Sequence, residues 1–249
     1  MKITFLGTSD GLPRKNKNMT CMMLEVNDVI YFIDAGAPVM EEMAQREVDV
    51  SKVRAVFTTH CHGDHTSGLF NMTCIIDEYY KSTVVEYYLT DEDLKRLLEE
   101  FMILVTYKRP TFERTKLLIA KEGQVYKDEN ICVHYIPTKH PIRSDGTSPT
   151  YAILVEAEGK RVLFSGDLSG HIKENDFPQI AMEESLDVMI LEFAHFTYED
   201  VEPYLKKCKV KELWFNHLYP FTKIDTIQEV KDEYDYPIYI AEDGMEIEL

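Results

Sequence analysis

The chain has 249 residues, 45% of them hydrophobic and 29% charged, and a formal net charge of −17. That length suits one large domain over 1–249, and no run approaches the roughly 20 apolar residues of a membrane span. The acidic balance repels polyanions and argues against long nucleic acid as a partner.

MKITFLG opens the chain as a strand-like run, without the basic flank, long apolar stretch and small-residue cleavage site of a secretory signal. A cytoplasmic location is expected. Five scattered cysteines (Cys21, Cys61, Cys74, Cys132, Cys208) form no CxxC pair, so free thiols are expected rather than disulfides or a zinc knuckle.

The runs KITFL, TCMMLEV and VIYFIDAG read as strands, the last two joined by a turn at Asn27 and Asp28. PVMEEMAQRE reads as a helix beginning near Pro38, and VRAVFTT as a buried strand that delivers the loop TTHCHGDH. Asp91 to Leu104 has apolar residues at helical spacing and acidic residues in its first turn. The basic stretch after it (Lys108, Arg109, Arg114, Lys116, Lys121) reads as a solvated loop or helix end.

Further along, NICVHYIPTKH and VMILEFAH read as strands, and TYAILVEAEGKRVLFSGD as a hairpin turning at Glu158 and Gly159. In the last quarter TYEDVEPYLKKC and DTIQEVKDEY read as helices, alternating with the strands ELWFNH and PIYIA. Interleaved helices and strands suggest an α/β fold in which helices cover the outer faces of two sheets. A weak internal repeat is visible: VIYFIDAG and RVLFSGD both end near Asp, and VRAVFTTH and ELWFNH both end in His.

The loop TTHCHGDH places three of the chain's 8 histidines, and one aspartate, within six positions. His60 and His62 suit one cation while Asp64 and His65 reach toward a second, with Gly63 relaxing the backbone between the pairs. Cys61, between two of these side chains, is read as structural.

The loop resembles the HxHxDH signature of the metallo-β-lactamase superfamily, whose members are four-layer αβ/βα sandwiches. The remaining motifs of that superfamily follow in order: Asp34 in YFIDAG, His140 in PTKHP, Asp167 in LFSGD and His217 in WFNHL. The resemblance implies one metal on His60, His62 and His140, and another on Asp64, His65 and His217, with Asp167 bridging and Asp34 behind the ligands orienting them. Zinc is the implied ion, with manganese or iron as alternatives. A dinuclear site of this kind implies hydrolysis by a bridging hydroxide.

The opening FLGTSDGLPRKNKN and the FSGDLS segment resemble the ribonuclease Z branch and related phosphodiesterases, and the tail AEDGMEIEL resembles tails of the superfamily. A phosphodiester substrate is therefore implied, and the acidic surface points to a small molecule or a short nucleotide-like one. Where that branch carries His-Glu-Ala-Thr with a proton-donating histidine, this chain reads LEFAHF, with Leu191 at the aligned position. His195 is the candidate replacement as general acid.

An ester, lactone or thioester hydrolase and a non-catalytic metal-stabilised binding domain are the competing readings. His134 and His171 read as structural or surface residues, and Arg143, Ser148 and Tyr219 as candidate cleft residues. The helix at 91–104 and the basic stretch after it, to residue 121, are the candidate substrate lid or homodimer contact.

Overall fold

The computed structural model describes residues 1–106, 112–141, 148–170, 176–219 and 224–249. Lys108, Arg109, Arg143 and His171 lie outside the described residues. The chain divides into two compact units, Met1–Lys121 with Asp243–Glu248, and Glu122–Glu242 with Leu249.

The first unit begins with β1 (Lys2–Gly7), β2 (Cys21–Val26) and β3 (Val29–Ile33), an antiparallel meander. The β2–β3 turn is made by Asn27 and Asp28 at φ 50° and 66°, the left-handed pair that tight hairpins require and these residue types tolerate. Next come helix α1 (Val39–Gln45), β4 (Val53–Phe57), α2 (Gly63–Tyr79), β5 (Val85–Leu89), α3 (Glu92–Val105) and β6 (Thr115–Ile119). Strands β3 to β6 run parallel, as helical crossovers demand.

Helix α2 carries no clear sequence stripe, because Leu69, Met72 and Ile76 are interleaved with buried Thr66, Gly68 and Thr73. It packs with Phe32 and Val56 of the sheet, and each fully buried large side chain contributes about 1.5–3 kcal/mol. Helix α3 matches its expected span within one residue at each end. Asp91 caps it by accepting from Asp93 N at 2.8 Å and Leu94 N at 3.2 Å. Its inner stripe is Leu94, Leu98 and Met102, and its outer face exposes Leu97, Leu104 and Val105.

The basic stretch corrects the loop-or-helix reading, since Lys116 lies on edge strand β6 and pairs with Glu86 at 3.1 Å. Arg114 donates to the Lys81 carbonyl at 2.9 Å.

The second unit contains β7 (Gly123–Lys127), β8 (Ile131–Thr138), β9 (Thr150–Ala157), β10 (Lys160–Phe164), α4 (Ile180–Glu183) and β11 (Leu186–Phe193). After these come α5 (Tyr198–Leu205), β12 (Val210–Leu218), α6 (Ile224–Val230) and β13 (Ile238–Ile240). Strands β7 to β10 form an antiparallel meander and β10 to β13 run parallel. The β9–β10 turn falls at Glu158 and Gly159, both at positive φ, as expected. Leu163, Met189, Leu213 and Phe215 pack with Ala181, Val201, Leu205 and Tyr236.

The last strand, β14 (Glu246–Glu248), returns to the first unit and pairs with β1. The two seven-stranded sheets run β14-β1-β2-β3-β4-β5-β6 and β7-β8-β9-β10-β11-β12-β13. This is the expected α/β class. No described helix is long and apolar enough to cross a membrane.

Candidate metal centre

In the first unit, strand β3 ends at Ile33, and Asp34 follows with φ 58° and 1% exposure. A non-glycine residue in the left-handed region is uncommon, and here the turn aims the carboxylate along the end of the parallel strands. Asp34 Oδ1 accepts from Thr59 N at 2.7 Å, while Oδ2 accepts from the Thr59 hydroxyl at 2.9 Å and from His65 Nδ1 at 2.7 Å. Thr59 Oγ1 stands 3.0 Å from His60 Nδ1 and accepts its proton. One buried carboxylate thus fixes two imidazoles and leaves Nε2 of each for another partner.

His60 Nε2 lies 3.1 Å from His62 Nδ1. A tetrahedral zinc shell separates two imidazole nitrogens by roughly 3.3 Å, so these donors fit one cation. Asp64 and His65 lie in the first turn of α2, where the helix dipole favours a carboxylate, and Asp64 Oδ2 is 3.7 Å from His65 Nε2.

Gly63 does not act as expected. It is the first residue of α2, its φ is not positive, and a Cβ added there would meet nothing within 4 Å. Backbone tightness falls instead on Gly36, where an added Cβ would lie 2.2 Å from the Asp64 carbonyl oxygen. The Ala35 N–H donates to His65 O at 2.8 Å, seating the helix start against the Asp34 turn. Cys61 packs against the core of this unit, in keeping with its structural reading.

In the second unit, Asp167 follows β10 through Ser165 and Gly166, and it is 2% exposed. Its Oδ2 lies 3.4 Å from His217 Nε2, 3.7 Å from His140 Nε2 and 3.8 Å from His195 Nε2. His217 is placed by a bulge: β11 and β12 pair Glu192 with Asn216 but Phe193 with Leu218, which leaves His217 over at φ 53°. The extra residue re-aims its side chain. His140 Nδ1 donates to Leu168 O at 3.0 Å, so its Nε2 faces Asp167.

Sequence reasoning placed His195 here but missed its partner. Glu192, 3% exposed, accepts from His195 Nδ1 at 3.0 Å and Leu168 N at 2.9 Å through Oε1, and from Ala194 N at 2.7 Å through Oε2. The His195 ring lies 4.6 Å from that of His140, centroid to centroid. The available signal was the Glu in LEFAHF, which follows the apolar run Val188–Leu191 on a wholly buried strand.

Asp176 was also missed. Its carboxylate accepts from Lys139 N at 2.6 Å and from Ser169 N, bracing the chain beside His140 and beyond Asp167. Burial pushes its carboxyl above the usual range, with the two N–H groups pulling the other way. In the first unit burial raises the Cys21 thiol well above its ordinary value, helped by the nearby Asp34 charge.

These histidines and aspartates lie at the ends of parallel strands in two mixed sheets, except His140, which follows antiparallel β8, and with that architecture they define a protein of the metallo-β-lactamase fold, ribonuclease Z-like branch. The metallo-β-lactamase fold protein YhfI from Bacillus subtilis superposes with a TM-score of 0.77 at 19% identity, covering 99% of this chain and 98% of its own. The short form of human tRNase Z gives 0.75 at 19% identity, covering 100% and 99%.

The chain belongs to the Anti-Pycsar protein Apyc1 family, whose model matches residues 1–229. Among curated proteins it is similar to the ribonuclease Z of Methanocaldococcus jannaschii, 27% identical over 155 residues, which is 62% of this chain and 47% of that protein. The ribonuclease Z of an Exiguobacterium species is 41% identical over 69 residues, covering 28% and 23%. These matches span about half the length of the curated relatives, or less.

Proposed function

We propose that residues 1–249 act as one catalytic domain, a dinuclear metal-dependent phosphodiesterase for a small or short nucleotide-like substrate. His60, His62 and His140 would hold one divalent cation, Asp64, His65 and His217 the other, and Asp167 would serve both. The donor set suits zinc, with manganese or iron as alternatives. When bound, the pair supplies Lewis-acid activation of water and neutralises charge on the phosphoryl oxygens.

The observation that carries this reading is the tethering of the imidazoles. Nδ1 of His60, His65 and His140 is engaged by Thr59, Asp34 and the Leu168 carbonyl. The opposite nitrogen of each is left as the donor. His195 has the same polarity, with Nδ1 on Glu192 and Nε2 beside Asp167. Its Nε2 proton would go to the leaving alkoxide, and Glu192 stabilises the imidazolium that precedes the transfer.

Asp34 and Glu192 act through the histidines they hold. The net charge of −17 favours small anions over long ones. The exposed Leu97, Leu104 and Val105 of α3 supply the surface for a homodimer contact.

Hydrolysis of bis(p-nitrophenyl) phosphate by zinc- and manganese-loaded protein tests the reading, with Asp64→Ala as control. Metal-dependent turnover lost in Asp64→Ala supports it and leads to a panel of linear and cyclic nucleotide phosphodiesters. Metal binding without turnover on any phosphodiester would transfer the assignment to ester, lactone or thioester substrates. Inertness toward those as well would leave the non-catalytic binding domain.

A further inference from the structure

Strands β8 and β9 carry a group of side chains that the proposed hydrolysis does not use. Cys132 and His134 are two residues apart on β8 and therefore project from one face, and the register places Glu156 of β9 directly opposite Cys132. Cys132 Sγ lies 3.3 Å from His134 Nε2, and His134 Nε2 lies 3.6 Å from Glu156 Oε2. The three ligand atoms all fall within 4.8 Å of one another.

A tetrahedral site with a metal–sulfur bond of about 2.3 Å and metal–nitrogen and metal–oxygen bonds of about 2.0–2.2 Å separates its ligand atoms by roughly 3.3–3.6 Å. The imidazole is already at that spacing from both the thiol and the carboxylate, and the thiol and carboxylate lie within 4.8 Å of each other. Arg161 Nε donates to Glu156 Oε1 at 3.1 Å, while its Nη1 and Nη2 hold Ser185 O at 3.1 Å and Glu184 at 2.6 Å. The guanidinium is thereby anchored and orients the carboxylate with Oε2 toward His134. The His134 and Glu156 side chains are 32% and 41% exposed, so water reaches a fourth position.

We infer that Cys132, His134 and Glu156 form a binding site for one zinc-class divalent cation, completed by water. A hard cation such as magnesium does not fit, because thiolate and imidazole select borderline and soft ions. Binding replaces the Cys132 thiol proton, which leaves to solvent, by a sulfur–metal bond, and affinity therefore rises with pH. The bound ion ties two antiparallel strands together across one face.

Cobalt(II) titration of the full chain under reducing, anaerobic conditions tests this. The proposed dinuclear set contains no thiolate, so a near-ultraviolet thiolate-to-cobalt band reports on this site even if the hydrolase reading fails. The expected result is a band whose final amplitude corresponds to one thiolate-bound cobalt per chain, absent in Cys132→Ser, retained in Cys61→Ser, and formed with at least tenfold weaker affinity in His134→Ala. No band in the unaltered protein, or one that survives Cys132→Ser, overturns the inference. Far-ultraviolet circular dichroism of each variant establishes that a lost band is not a lost fold.

Discussion

The two sheets follow one plan. Each runs from an antiparallel meander into parallel strands, so β3 corresponds to β10, β4 to β11 and β5 to β12. Asp34 and Asp167 follow equivalent strands, yet Asp34 is enclosed by donors from Thr59 and His65, whereas Asp167 Oδ2 faces Nε2 of three histidines. Strand position decides where a carboxylate is delivered. The hydrogen-bond donors of the neighbouring strand decide whether it supports a ligand or is placed to be one. The sequence repeat matches β4 to β12, but position in the sheet order matches β4 to β11, which carries Glu192 and is followed by His195.

The sharpest way to break this comparison is to neutralise both aspartates. Asp167→Asn is expected to abolish phosphodiester turnover and leave the protein deficient in metal by elemental analysis. Asp34→Asn keeps the fold and weakens zinc binding by about 10–100-fold in a chelator competition, the usual effect of losing a carboxylate behind a ligand. Equal losses in the two variants would refute the distinction.

The end of β11 offers the next test. His195→Ala should lower kcat by about 10²–10⁴-fold with metal content intact, as for a lost general acid. Unchanged turnover would remove His195 from the mechanism.

Packing differs within the first unit too. Gly36→Ala drives a Cβ against the Asp64 carbonyl, and urea unfolding should show a loss of about 1–3 kcal/mol. Gly63→Ala should stay within about 0.5 kcal/mol of the parent, since the added methyl meets nothing.

A smaller effect belongs to the second unit, where burial pushes the Cys208 thiol up to about 12. A raised folded pKa gives stability that is complete below the ordinary thiol range and is lost as pH rises through the folded value. Between pH 8 and pH 10 the parent should therefore lose on the order of 1–2 kcal/mol more than Cys208→Ala in paired urea melts.

The histidine loop, the two tight hairpins and α3 were legible because each depends on neighbours in sequence: ligand spacing, turn chemistry, a capped amphipathic repeat. Helix α2 was not, because burial on several sides erases its stripe. The bulge at His217 and the left-handed turn at Asp34 are properties of strand pairing, which no residue there announces. The Cys132–His134–Glu156 group was hidden for a related reason: two of its members read as ordinary strand residues until the β8–β9 register supplies the third.

Strand β14 has a consequence for the order of assembly. Thr8 donates to Asp243 through its N–H at 3.0 Å and its hydroxyl at 2.7 Å, Asn18 N donates to the same carboxylate at 2.7 Å, and β1 is covered by Glu246–Glu248. During synthesis, which proceeds from the N-terminus, the unit that begins first is thus closed last. Its β1 edge stays uncovered, and its first loop unanchored, until the whole of the second unit up to Glu242 has been synthesised.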